Sequence, residues 1–233
     1  MFKKKKLLFS LVIVCVIFVG LVAVGKVTGA LTYSTAGTDA NLPAIKHGDF
    51  YFMSNLRSPK LFDFVAYHHI DPMQGKLLYV HRVCGLPGDT VAIIDGNLFV
   101  NGQSADDSLD LRLMYQFPAD QITTVATHFK LTGEEIPHPI DSGKAIVLLT
   151  KPEMKELTSL HIPFKRYFWG DNIITPEISA QFQQPWGLDK FGPIKVPANQ
   201  YFVLGDNRYM AQDSRFLGFI KRDDLLGVIL GIK

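Results

Sequence analysis

The sequence predicts a mainly β protein, an antiparallel sheet or barrel-like domain carried behind one N-terminal membrane-spanning helix. Three observations predict it. An uncharged apolar run lies near the N-terminus, short apolar segments recur between turn residues, and helical signals are confined to the middle of the chain. With 233 residues, 47% of them hydrophobic and 20% charged, there is material for one or two packed domains. The same figures exclude a disordered chain, a collagen-like repeat and an acidic solvating tail.

Taken in order, residues 1–6 read as a cytoplasmic tail and 7–25 as a transmembrane anchor. Leu7 to Gly25 (LLFSLVIVCVIFVGLVAVG) has no charge and as a helix spans roughly 28 Å, one hydrocarbon core. In lipid the backbone must satisfy its own hydrogen bonds, so helix overrides the β-branched composition. Lys3, Lys4, Lys5 and Lys6 precede the run and predict the N-terminus inside, with everything after Lys26 extracytoplasmic. The run is longer than a signal-peptide core, and Thr28-Gly29-Ala30 is a poor cleavage site, so a retained anchor is expected.

Residues 26–39, rich in Gly, Thr, Ser and Ala, read as a short exposed stalk. Strands are then expected at Asp49 to Met53, Phe62 to Tyr67, Leu77 to Val83, Thr90 to Ile94, Leu98 to Val100, Gln200 to Leu204 and Leu225 to Ile232. Asp95-Gly96 and Asn101-Gly102 tolerate positive φ and predict hairpin turns on either side of Leu98 to Val100. The one clear helix opens at Thr150-Lys151-Pro152-Glu153, a capping box with Pro in the first turn. Residues 103–194 otherwise lack a dense strand pattern. They are expected to form an inserted subdomain between two parts of a β core, 40–102 and 195–233.

The net charge of +2 carries no nucleic-acid signal. Without the four N-terminal lysines the balance is 20 basic against 22 acidic groups, so no basic domain exists. Cys15 lies in the apolar run and Cys84 far from it, so neither a disulfide nor a zinc site is expected. His68, His69 and Asp71 sit on one strand whose adjacent residues face opposite ways, which favours a solvated edge over a metal site. Tyr167, Phe168, Trp169 and Trp186 read equally as insertion core or as membrane-surface aromatics. No metal or cofactor is expected.

Three motifs carry the functional signal. The first runs from Ala40 through Pro43 to Gly48-Asp49. The second is His81-Arg82-Val83-Cys84-Gly85-Leu86-Pro87-Gly88-Asp89, followed by Val100-Asn101-Gly102. The third is Gly205-Asp206-Asn207-Arg208 with Asp213-Ser214-Arg215 and Gly218. In this order, behind an N-terminal anchor, they resemble the bacterial type I signal peptidases. That resemblance implies a β-rich extracytoplasmic domain on the bacterial cytoplasmic membrane. It also implies a metal-free serine endopeptidase with a lysine base, and signal peptides of exported preproteins as substrates.

Carried over position by position, the resemblance fails at the chemistry. The nucleophile position holds Ala40 and the base position His81, and Ala211 stands where a supporting serine is usual. Asp206, Asn207, Arg208, Asp213 and Arg215 keep the supporting pattern, and Thr38 is a candidate oxyanion donor. A methyl group cannot attack a carbonyl, whereas histidine is compatible with a base role. Cys84, three residues from His81 on a strand, should face the opposite way. An engineered exchange at position 40 would leave His81 and Ala211 unexplained, so the pattern reads as divergence. The expectation is an inactive or impaired signal peptidase I-like chain. The alternative is a non-catalytic relative that binds exported segments or assists an active signal peptidase.

Overall fold

The computed structural model describes residues 2–169 and 174–233; Met1 of the expected tail and residues 170–173 of the expected insertion lie outside the described residues. Helix α1 (Phe2–Thr28) contains the apolar run. Within it Leu11–Thr28 has mean hydropathy 2.7, long and apolar enough to cross a membrane. The helix does not end at the last apolar residue. It continues to Thr28, and Asn55 Nδ2 donates to the Thr28 carbonyl while Ser54 Oγ donates to that of Ala30. The stretch expected as an exposed stalk is therefore partly structured, because β1 (Thr32–Thr35) pairs with β2 (Phe50–Ser54).

The chain continues through β3 (Phe64–Asp71), β4 (Gly75–Gly85), β5 (Thr90–Ile94), β6 (Asn97–Val100) and β7 (Gln103–Ser104). The middle segment holds β8 (Leu113–Pro118), α2 (Ile122–His128), β9 (His138–Asp141), β10 (Lys144–Leu149), α3 (Lys151–Ser159), β11 (Lys165–Arg166) and α4 (Pro176–Phe182). It closes with β12 (Phe191–Lys195), β13 (Gln200–Leu204), α5 (Ser214–Leu217), β14 (Ile220–Lys221) and β15 (Leu225–Ile232). The fold is mainly β, and every sheet pairing between these strands is antiparallel.

Among the described residues the strands form three sheets. The first has seven strands in the order β1-β2-β15-β3-β4-β13-β14, the second runs β12-β5-β6-β7, and the third β11-β8-β10-β9. The hairpin between β5 and β6 turns on Asp95 and Gly96, both at positive φ (49° and 68°), as an Asp-Gly turn with the twist of its strands requires. The first two sheets share a core in which Cys84, Phe202 and Leu204 meet Val91, Ile93, Leu98 and Phe191. The expected division at residue 194 falls inside β12, which pairs with β5 rather than with the middle segment.

That middle segment is more regular than its composition suggested. Its sheet packs against α2 and α3 around Leu111, Phe117, Val125, Leu149 and Leu157. The capping box is formed: Thr150 Oγ1 accepts from the Glu153 N–H and the Glu153 carboxylate accepts from the Thr150 N–H. A helix that starts this cleanly fixes the exit of β10, and so the orientation of the sheet behind it.

Candidate active-site cleft

The first sheet brings the motifs together. Register pairs Leu204 of β13 with Arg82 of β4, which sets the turn after β13 beside the second motif. Arg82 grips Asp206 through Nε and Nη2 at 2.8 and 2.6 Å, and its guanidinium lies 4.1 Å from the Phe64 ring centre. Arg208 grips Asp106 through both terminal nitrogens at 2.8 and 2.6 Å. Arg215 grips Asp213 through Nε and Nη2 at 2.9 and 2.8 Å, and the Asp213 carboxylate also accepts from the Gly205 and Arg215 N–H groups. Planar, bidentate pairing suits arginine and fixes orientation as well as distance.

The loop carrying Ala40 is stitched to this frame. The Ala40 carbonyl accepts from the Asn207 N–H at 3.0 Å, and Asn207 Nδ2 donates to the Asp39 carbonyl at 3.1 Å. On the other side Asn41 Nδ2 donates to the Val80 carbonyl at 2.7 Å. Gly205 is required between them. A Cβ there would lie 2.3 Å from that of Ala211 and 2.5 Å from the Ala40 oxygen. Ala40 and Ala211 therefore close on one glycine, and neither brings a polar side chain to it.

His81 comes from β4 and is 1% exposed. Its Nδ1 is 2.8 Å from the Tyr67 hydroxyl. Burial pushes the imidazole down to about 4, against the pull of Asp213 and with the help of Arg215, so the ring is neutral at neutral pH. Thr35, Thr38, Ala40, Tyr79, His81 and Gln212 are among the residues lining one cleft of about 580 Å³. Thr38 is exposed, and its Oγ1 lies 3.5 Å from the Ala40 nitrogen.

The structure thus places Thr38, Ala40 and His81 on one wall, with Asp206, Asn207, Arg208, Asp213 and Arg215 behind it and Ala211 packed against Gly205. Cys84 is fully buried on the other side of β4, where burial pushes its thiol up to about 12. A protonated thiol sealed in the core is not a substitute nucleophile. Among the described residues no group of three His, Cys, Asp or Glu side chains is arranged to hold a metal ion.

Three contributors escaped the sequence reading. Tyr67 reaches His81, Asp106 anchors Arg208, and Arg112 lies against the third motif, its N–H donating to the Asp206 carbonyl and its carbonyl accepting from the Arg208 N–H. Only Tyr67 had a usable signal. A tight β3–β4 hairpin sets it opposite Tyr79, two residues before His81. Chemically, the wall offers a neutral imidazole, a threonine hydroxyl and backbone N–H groups, with no hydroxyl or thiol at position 40 for a base to activate.

Residues 6–232 match the family model described as signal peptidase, peptidase S26. Signal peptidase I of Buchnera aphidicola is 27% identical over 183 residues, covering 76% of this chain and 56% of that protein. Probable signal peptidase I-2 of Synechocystis is 24% identical over 175 residues, covering 74% of this chain and 47% of that protein. This chain spans about half the length of these two curated relatives. Among solved structures, a signal peptidase I from Enterococcus faecalis is 22% identical with a TM-score of 0.35, the alignment covering 75% of this chain and 98% of that one.

Proposed function

Since the chain belongs to the signal peptidase family, we propose that it binds the signal peptides of exported preproteins in the His81 cleft and cleaves them poorly or not at all. The observation that carries this reading is the cleft itself: a neutral, held imidazole shares it with an alanine at the nucleophile position. Without a hydroxyl there, no acyl intermediate forms. What remains is binding and whatever oxyanion stabilisation Thr38 supplies. No metal or cofactor enters the proposal.

The apolar run of α1 and the four lysines that precede that run support a bilayer-anchored protein in the bacterial cytoplasmic membrane, N-terminus inside and β domain outside. In this arrangement the cleft meets exported segments as they emerge. The chain then acts as a binding relative, alone or beside an active signal peptidase.

The test is a preprotein cleavage and signal-peptide binding assay on the full chain, Ala40→Ser, and Ala40→Ser with His81→Lys. The expected result is binding by all three, no cleavage by the native chain, and cleavage gained only when position 40 carries a hydroxyl. Cleavage by the native chain at the rate of Ala40→Ser would defeat the assignment of position 40.

A further inference from the structure

We infer that Tyr67 is a positioning residue: it fixes His81 in the tautomer that carries its proton on Nε2, so that the ring offers the cleft a hydrogen-bond donor rather than a base. The identity of what the donor meets, a backbone carbonyl of a bound polypeptide segment, rests on the function proposed above. The tautomer does not.

Tyr67 is 0% exposed, so its hydroxyl is shielded from bulk solvent. Burial, Asp213 and Tyr79 all push the phenol well above its usual range, so it keeps that proton. Asp213 is the nearby carboxylate, but both of its oxygens are already in use. Oδ1 accepts from the Arg215 N–H and Nε, and Oδ2 from Gly205 N–H and Arg215 Nη2. The acceptor at hydrogen-bonding distance is His81 Nδ1, 2.8 Å away.

A neutral imidazole has one protonated and one lone-pair nitrogen. If Nδ1 carried the proton, the phenol would have to accept it, and its own proton would be buried without a partner, a costly arrangement. Donation from Tyr67 to Nδ1 satisfies both groups and leaves the proton on Nε2. Because Nδ1 is turned to the buried phenol while the ring still lines the cleft, Nε2 is the nitrogen available to a bound chain. The Tyr67 ring is itself held, stacked on Tyr79 at 5.8 Å between ring centres and 18° between planes. A fixed donor suits a cleft that has no nucleophile to activate.

The test is ¹⁵N NMR of the full chain labelled at histidine in detergent micelles, with His81 assigned by its loss in His81→Gln. At neutral pH the expected spectrum shows lone-pair character at Nδ1 and a proton on Nε2, and Tyr67→Phe, which keeps the ring, converts this to a mixture of tautomers. A proton on Nδ1 in the native chain, or an unchanged tautomer in Tyr67→Phe, would overturn the inference. A second readout separates positioning from packing. In the Ala40→Ser background a serine needs the lone pair of Nε2, so adding Tyr67→Phe should raise the cleavage rate about tenfold at unchanged KM. A fall in rate would overturn it. An Nε2-protonated ring in a chain that binds no signal peptide would refute the proposed function while leaving the tautomer assignment standing.

Discussion

Behind the cleft, Arg82, Arg208 and Arg215 each meet an aspartate at two points, and all of these side chains except Arg82 are buried. At the cleft wall, Ala40 brings no polar side chain at all, and His81 spends one nitrogen on Tyr67. The two regions differ in how they are constrained. Each member of the frame is held by its partner, because removing one strands a charge in the core. The Ala40 methyl makes no polar contact, so exchange there changes chemistry without changing the fold. A scaffold can therefore persist while side chains that line its cleft change.

The strongest way to break that comparison is at Asp213. Asp213→Ala leaves Arg215, 2% exposed, without its carboxylate and frees the Gly205 N–H. The expected loss is about 3–5 kcal/mol in denaturant unfolding of the micelle-solubilised protein. The exposed pair Arg57–Asp63, with side chains 40% and 21% exposed, is the control. Its Arg57→Ala variant should lose at most about 1 kcal/mol. Equal losses at the two sites would mean that the buried frame is constrained no more tightly than the surface.

A smaller effect comes from His81, which lines the cleft and is 1% exposed. Its folded value of about 4 lies below the ordinary 6.5. Between those values the unfolded chain binds the proton that the folded chain refuses, so stability falls as pH drops through this window and levels off below it. The loss at pH 5 should be about 2 kcal/mol relative to pH 7.5. Asp213, Arg215, Tyr67 and Tyr79 are the titratable and charged groups around the ring, and none of them is altered in His81→Gln. Comparing the pH dependence of unfolding in the native chain and in that variant isolates the contribution of His81. Parallel curves would mean that the ring is more hydrated than its burial implies.

Much of the fold was legible because it rests on local pattern. The strands at Thr90–Ile94, Gln200–Leu204 and Leu225–Ile232 carry period and turn signals within a few residues of themselves. So do the Asp95-Gly96 turn and the Thr150–Glu153 capping box. The sheet of the middle segment was missed, although the AIVLL of β10 is an apolar strand run. Its partner β8 is separated from it by α2 and β9, so no hairpin signal joined the two. In the site, the motif spacing marked Ala40, His81 and the third motif. Nothing in a sequence says which aspartate Arg208 will meet 102 residues away, or that a tyrosine on the neighbouring strand turns its hydroxyl to His81.

The smallest expected effect sharpens the contrast most. Ala40→Ser adds one oxygen to a side chain that lines the cleft and is 8% exposed. The constraint at this position comes from its backbone. Its carbonyl is held by the Asn207 N–H, and Gly205 leaves no room for the loop to shift toward it. Serine makes the same backbone contacts. Its hydroxyl can reach water or Thr38 in the open cleft, so no polar group is buried unpaired. Stability should therefore change by less than about 0.5 kcal/mol. A loss of more than about 1 kcal/mol would mean that the Ala40 methyl is packed as tightly as the frame. Position 40 would then be fixed by volume rather than released from chemistry.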